Sequence, residues 1–564
     1  MKHIYAFFFF LILLIPKSTN AQCFDCIKTS GSYYDDFILS LEKTKNGFVS
    51  NTSSDDRNIS YYDNNCNLIW QKKYNYSEAF AYNNLKTDQE NNIYVFEYNG
   101  ETSSSHKNIT KFDQHGTQQW EIIFANRFLD NHPLSIYWDS YLQDYHITNN
   151  KIFIIGYFHE ALIINGKIIY DFRSTDNHTN KNFFISEFDL DGNYIKTKIL
   201  SRSDGIYSHS VTDEYGNIYL LKNTFEKIEL EKFDSNLNLL YRKSISHSDR
   251  TYHIENTTPV KMYFSKLVNK ILIFSLNSTA KTYIGGNLID YEETNGSHRH
   301  MLFNINPTNG EVINSKKLNF IPASVYPVPT IDAIPHEYYF DYTESEESAY
   351  ILTRFNKEIN INGKLIKPKI SKQFEYTISE NDINYDTNII SFKINPENFD
   401  LKPILYTNGG IQETYHSRDF GKFIRILDEE NILISGEFQS LNFEINGIHI
   451  PNKSVSQSRD FFIYKYNLNN KPNNISIKIN NSCFGQETNF TIDGDFDSVK
   501  WDFGDGNSST DKTPKHIYTN PGKYIVKTTV TCKGETREFT NEVNIKSALK
   551  LEKLNDIIVC ENNS

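Results

Sequence analysis

The sequence predicts an all-β chain in two folded parts: a large body of repeated four-stranded sheets set around an axis, then a small two-sheet sandwich. Three observations predict it. Tyr and Phe number 37 and 40 among 564 residues, against 3 Met, and large aromatic side chains suit a pleated, half-buried surface. A short strand–turn–strand pattern recurs through the first 470 residues. Trp, Gly, His and Tyr at fixed spacing then set residues 473–547 apart as a separate module.

At 564 residues the chain exceeds one ordinary core. With 38% apolar and 23% charged residues it is globular rather than disordered. The formal net charge of −12 argues against nucleic acid and anionic membrane as partners.

The N-terminus reads as an export signal over residues 1–21. Met1-Lys2-His3 is a short basic start, Ile4 to Pro16 is an apolar run too short to span a bilayer comfortably, and Thr19-Asn20-Ala21 offers the small residues of a cleavage site. Gln22 stands before Cys23 where a lipoprotein needs a small residue, so soluble export is expected, with no membrane-spanning segment in the mature chain. All six cysteines follow the signal, in a compartment that permits disulfides. Cys23-x-x-Cys26 lacks the βαβ context of a redox pair, so Cys23, Cys26 and Cys66 are read as structural, with pairing open; Cys560 has no evident partner.

Residues 22–470 carry the repeat. An acidic or Asn-rich turn leads into a strand at Asp88 to Tyr94 and at Asp213 to Tyr219. A strand ending in Asp or Asn before a turn recurs seven times, at Asp63, Asp113, Asp189, Asp234, Asn306, Asn395 and Asn467. The long units carry an extra hairpin, at Ile164-Asn-Gly-Lys167, Ile284-Gly-Gly-Asn287, Ile361-Asn-Gly-Lys364 and Ile445-Asn-Gly-Ile448. Asn-Gly and Gly-Gly accept the positive φ that tight hairpins require. Without the insertions the period approaches the ~40–50 residues of a four-stranded propeller blade, so a seven-bladed β-propeller (six to eight) is expected. Lys111-Phe-Asp-x-x-Gly116 followed by Gln119-Trp120, and Asp63-Asn-Asn-Cys-Asn-Leu-Ile-Trp70, resemble the divergent propeller repeats of large secreted bacterial proteins.

The second part is sharper. Trp501-Asp502-Phe503-Gly504-Asp505-Gly506 precedes Pro514-x-His516-x-Tyr518 and Gly522-x-Tyr524. Gly504 and Gly506 permit a tight turn, and alternation from Tyr524 to Val530 marks a strand. This motif resembles the PKD domain, an immunoglobulin-like sandwich, over residues 473–547; the resemblance implies Trp501 in the core and a spacer or contact unit rather than an enzyme. Cys483 and Cys532 fall inside the module and are expected to bridge an early strand to a late one. Residues 548–564 read as a linker or the cut-short start of a further module. The layout resembles proteins exported by type IX secretion, which usually continue into a sorting domain; none is read here, so a fragment or a released protein is expected.

Candidate chemistry is sparse. Asp493, Asp495 and Asp497 alternate with calcium-like spacing, but no closing bidentate Glu follows, and a solvated turn is the plainer reading. His298-Arg-His300 offers two imidazoles without a third ligand. His159-Glu160 begins like a zinc-protease helix, but Ile163 stands where the second His belongs. No GxSxG or P-loop pattern occurs. No cofactor is expected, calcium apart. The function expected is non-enzymatic binding or adhesion at the cell surface or outside the cell, toward a glycan or an extracellular protein. The alternatives are a propeller-type glycan lyase or hydrolase, which needs acids or His to converge at the central opening, and a purely structural module.

Overall fold

A computed structural model describes residues 26–30, 36–53, 57–74, 85–99, 106–125, 141–148, 150–159, 161–171, 181–200, 205–224, 227–248, 257–277, 282–288, 299–318, 340–355, 359–361, 364–366, 388–408, 419–439, 442–445, 448–452, 459–468, 476–480, 484–493, 496–532 and 535–546. The chain divides into two compact bodies, Cys26–Asn469 and one that holds Asn470–Ser564. The described residues are β-strands and turns, and no helix among them is long and apolar enough to cross a membrane.

Among the described residues, the first body holds antiparallel sheets of four or more strands in chain order, over residues 37–74, 85–125, 141–199, 205–248, 257–318, 340–408 and 420–467, here called sheets 1 to 7. All seven Asp and Asn marks read from the sequence fall at the end of, or directly after, the third strand of their sheet. The strands alternate faces, and both faces are apolar. In sheet 3, Ile152 and Ile154 pack with sheet 2, whereas Phe153 and Ile155 pack with sheet 4. In sheet 1, Phe48 packs with sheet 7 and Val49 with sheet 2. The core of this body is therefore seven separate layers, each between consecutive sheets, with the last between sheet 7 and sheet 1. A lone four-stranded sheet cannot bury two such faces, and burying each large apolar side chain is worth about 1.5–3 kcal/mol. The arrangement is propeller-like, and packing between sheets rather than one continuous sheet closes it.

The recurrent Asp is a turn device. Asp63 accepts the backbone N–H of Asn65 and Asn67 on Oδ1 and the Asn67 side-chain amide on Oδ2; Asp189 and Asp234 do the same one turn after another. The third residue after the Asp is left-handed, as Gly116 and Gly192 allow (φ 78° and 81°), and it is also the site where the next strand's partner docks. Trp70 of sheet 1 lies over Gly116 in sheet 2 and donates to the Gln114 carbonyl at 2.9 Å; Trp120 of sheet 2 lies over Gly192 in sheet 3 and donates to the Leu190 carbonyl at 3.0 Å. The Asp–Gly turn and the following Trp thus stitch neighbouring sheets together.

All four extra hairpins form. Ala161–Ile164 with Lys167–Asp171 pairs onto the outer strand of sheet 2, Thr282–Ile284 with Asn287–Leu288 onto that of sheet 4, and Asn442–Ile445 with Ile448–Pro451 onto that of sheet 6. Each covers part of its predecessor's open edge. Ile359–Ile361 with Lys364–Ile366 forms a two-stranded sheet of its own.

Sheet 7 takes its outermost strand from the other end of the body. Ile27–Thr29 pairs antiparallel with Asp460–Asn467, placing Ile27 opposite Tyr464 and Thr29 opposite Phe462. The flanking Cys26 is bonded to Cys66 in the third turn of sheet 1, with Cα atoms 6.0 Å apart, and both are buried in the layer between sheets 7 and 1. Cys26 and Cys66 are thus structural, and they fasten the seam.

The second body is a sandwich of a three-stranded sheet (Ser476–Asn480, Glu487–Asp493, Lys515–Ile517) and a four-stranded one (Ser508–Ser509, Ser498–Asp502, Gly522–Cys532, Glu535–Ile545). Trp501 is fully buried between them and donates to the Asp511 carbonyl at 2.9 Å. The expected Cys483–Cys532 bridge involves Cys483, outside the described residues.

A charged axial cleft as candidate functional site

The first strands of successive sheets neighbour one another, those of sheets 2 and 3 being joined through Lys86 and Asp144, so these strands line the centre of the first body. Five of the seven carry a bulge at a corresponding place, skipping Leu39, Gln143, Ser208, Val260 and Lys422. A bulge re-aims the side chains after it. Past these bulges, among apolar neighbours, stand Glu42, Asp144, Ser210, Lys261 and Arg425.

On one side of the cleft, Lys86 of sheet 2 bridges to Asp144 of sheet 3 at 3.0 Å, with about a third of each side chain exposed (30% and 31%). The Asp144 Oδ2 atom accepts from the Ser210 hydroxyl of sheet 4 at 2.8 Å and lies 3.3 Å from His146 Nε2. Burial works against its charge, yet Lys86, His146 and Ser210 outweigh burial and hold the carboxyl well below the usual range. Burial also lowers the pKa of His146, despite Asp144 beside it, so the imidazole is neutral at pH 7 and meets Ser210 Oγ at 2.7 Å.

On the other side, Arg425 of sheet 7 forks between Glu42 of sheet 1, at 2.7 and 3.2 Å, and Asp341 of sheet 6. Asp341 also accepts the Ile424 N–H at 2.9 Å and the Tyr263 hydroxyl at 3.1 Å. Such bidentate, charge-assisted contacts are the strong ones. Ser265, Tyr342 and the Lys266 N–H engage Glu344 beside them.

Lys261 lies on the first strand of sheet 5 (Thr257–Ser265). Its charge senses Asp341 and Arg425 on one side and Asp144 and Lys86 on the other; burial, the largest influence, lowers its pKa, and Asp341 pushes back. Side chains from all seven first strands therefore meet at the axis. An arrangement of this kind can hold a polar or charged ligand by several simultaneous contacts, and it offers a neutral imidazole as a proton acceptor.

None of these residues stood out in the sequence. The only signal was position: Lys86 lies two residues before the Asp88 turn and Ser210 three before the Asp213 turn. The residues singled out there lie elsewhere. In the sandwich, Phe503 stacks on His516 at 4.3 Å between ring centres, His516 Nε2 meets Asp505 Oδ2 at 2.6 Å, and the Tyr518 hydroxyl donates to the Phe503 carbonyl. A Cβ on Gly504 would meet the Ile525 carbonyl at 2.5 Å. Asp502 accepts the Gly504 N–H, Pro514 accepts the Phe490 N–H, and Tyr524 bonds the Asn520 carbonyl. These contacts, like the turn glycines Gly506 and Gly522, build the sandwich and do not converge on a cleft.

Of the calcium candidates, Asp493 and Asp497 are exposed and Asp493 pairs with Lys478; Asp495 lies outside the described residues. His298 lies outside them too, and only the backbone of His300 is described. His159 precedes a hairpin strand, not a helix, so the protease-like start has no zinc-binding geometry. Among the described residues no three His, Cys, Asp or Glu side chains are grouped to hold a metal ion.

Residues 471–547 match the family model described as PKD domain. Three solved structures illustrate the likeness of the chain to known folds. The Dos1 propeller is 11% identical, covering 52% of this chain and 75% of its own, at a TM-score of 0.30. A putative 6-phosphogluconolactonase from Bacteroides uniformis is 12% identical over 65% of this chain and 83% of its own, at 0.34. A structure from a study of two prolyl endopeptidases is 6% identical over 82% of this chain and 55% of its own, at 0.37. At these scores the likenesses carry no functional argument; what the chain contains is a segment similar to the PKD domain family beside a propeller-like, all-β body.

Proposed function

We propose that this chain is an exported binding protein whose first body is a seven-bladed propeller and whose axial cleft is the ligand site. The observation that carries the reading is the convergence of Lys86, Asp144, His146, Lys261, Asp341 and Arg425 from separate strands on one partly exposed cleft. Polar groups concentrated at the mouth of a closed repeat, with rigid strands behind them, form a preorganised binding surface. The glycine turns and Trp clasps keep those strands in place. The PKD-like module acts as a spacer or second contact unit, in keeping with an extracellular setting, and type IX export to the surface fits the same layout. A glycan or an extracellular protein is the partner class.

A glycan lyase or hydrolase is the second reading, and the same convergence favours it, because acids, an imidazole and an amine at one opening are what such chemistry requires. The binding reading is preferred because the acids are committed to ion pairs and hydrogen bonds with neighbouring strands. Screening the full chain on glycan and extracellular-protein arrays tests the proposal. Binding that disappears in Lys86→Met and Asp144→Asn supports it. Binding that survives both changes and maps to residues 471–547 overturns it, and release of cleaved sugar from any bound glycan moves the assignment to the enzyme.

A further inference from the structure

The bond between Cys26 and Cys66 shares one packed layer, that between sheets 7 and 1, with one side of the axial cleft. Cys26 and Cys66, 5% and 3% exposed, pack there with Leu41 and Phe423. Leu41 precedes Glu42 on the first strand of sheet 1, and Phe423 stands two residues before Arg425 on the first strand of sheet 7. The Arg425 guanidinium lies 5.8 Å from the centre of the Phe423 ring and donates through Nη2 and Nε to the two Glu42 oxygens at 2.7 and 3.2 Å. Beside the bond, Lys465 of sheet 7 donates its backbone N–H to the Cys26 carbonyl at 3.0 Å. Its ammonium donates to the carbonyl of Asn64, two residues before Cys66, at 2.8 Å. The bond, the closing strand and the Glu42–Arg425 fork therefore lie on one path of contacts, and close-packed interiors pass displacement along such a path. We propose that the Cys26–Cys66 bond is an oxidative lock on the axial cleft: its formation fixes Glu42 against Arg425, and the dithiol form leaves that side of the cleft unfixed.

The closing strand Ile27–Thr29 makes three register pairs with Asp460–Asn467, and short terminal elements open at low free energy. In the dithiol form each opening loosens the layer that holds Leu41 and Phe423, and the fork breaks with it. Arg425 then keeps Asp341, its partner on sheet 6, and presents Nε and Nη2 to the cleft. With the bond formed, those two donors stay on Glu42. Lys86 and Asp144 stand on the other side, and their neighbours Leu85 and Tyr145 pack in other layers, so that pair does not follow the lock. Locking takes two electrons and two protons from the cysteines as the S–S bond forms; a disulfide oxidant accepts them and leaves as a dithiol. A reducing cytosol withholds that oxidant and an oxidising compartment supplies it. The cleft is thus set after export, not before.

This inference rests on the axial-cleft reading, but its test needs no ligand, so either can fail alone. Arginines of the full chain are labelled with phenylglyoxal and lysines by reductive methylation, both read by mass spectrometry. The oxidised parent is compared with Cys26→Ala combined with Cys66→Ala, and melting temperatures report the fold. Glu42→Gln with the bond intact shows how fast Arg425 reacts once its partner is weakened. Without the bond, labelling of Arg425 is expected to rise on the order of tenfold, toward the Glu42→Gln rate, while Lys86 keeps its rate. If the cysteine-free variant does not fold, the parent reduced by dithiothreitol under native conditions takes its place, with alkylation of Cys66 marking the reduced molecules. An Arg425 rate unchanged by loss of the bond, or by Glu42→Gln, overturns the proposal and leaves the ligand reading of the cleft to its own test. A rise shared equally by Lys86 overturns it as well, because the bond is then a general staple.

Discussion

Removing the bond between Cys26 and Cys66 should loosen the first body at one place, the seam between sheets 7 and 1. The strand it anchors, Ile27–Thr29, makes only three register pairs with Asp460–Asn467. Too short to hold by pairing alone, it closes a body whose ends lie more than 400 residues apart. The bond joins residues 40 apart in sequence, a loop whose closure is worth about 4 kcal/mol in the chain-entropy picture. For a body of about 440 residues, unfolding entropies near 2.1 cal/mol/K per residue turn that into a loss of about 4 °C in melting temperature. The variant is Cys26→Ala with Cys66→Ala, assayed by calorimetry and by hydrogen exchange at Lys28 and Ser30, whose backbone lies against Asp460–Asn467. Faster exchange at those amides together with the lower melting temperature is the expected pair of results. A melting temperature within 1 °C of the parent and unchanged exchange would refute the idea that the seam depends on this bond.

Three further outcomes follow from the contacts. Because burial keeps the folded pKa of His146 below its ordinary value, the unfolded chain takes up that proton first on acidification; stability should fall as the pH drops below about 6.5, and His146→Gln should flatten this part of the pH–stability curve. Gly192→Ala should cost about 1–2 kcal/mol more than Gly166→Ala in urea unfolding, since both glycines are left-handed but only the Gly192 Cβ would strike a neighbour, the Trp120 ring at 2.9 Å; equal costs would show that the Trp clasp is dispensable. His516 and the Asn507 N–H outweigh burial to hold the Asp505 carboxyl low, so its contribution is present above about pH 4 and lost as pH falls through the folded value; Asp505→Asn should weaken amide protection in Gly522–Cys532 at pH 7 and remove that acid dependence.

Much of the fold was legible because its signals are local. The Asp63, Asp189 and Asp234 turns are fixed by side chains bonding amides two and four residues on, so each announces the end of a third strand in five letters of sequence. Asn-Gly and Gly-Gly likewise announced the four hairpins, and Trp501 with its glycines announced the sandwich. The hairpins' purpose was not legible: nothing in Ile163 and Ile164 says that they pair with Ala125 and Phe124 of the preceding sheet. Nor was the closing strand, three residues whose partner lies more than 400 positions away. At Leu237 and Phe399 the turn's left-handed position holds a buried apolar residue rather than Gly, because filling the core there outweighs the backbone cost. The axial cleft escaped notice for a different reason. Asp144, Lys261 and Asp341 look like ordinary solvated strand residues, and only the bulges and the closing of the ring bring them together.

The most direct test of the axial site is hydrogen exchange on the full chain with and without the strongest ligand from the arrays. Protection centred on the first strands, Tyr141–Ile147, Thr257–Ser265 and Phe340–Glu344, with residues 476–546 unchanged, is the predicted result. Protection confined to residues 476–546, with those three strands exchanging as before, would contradict it.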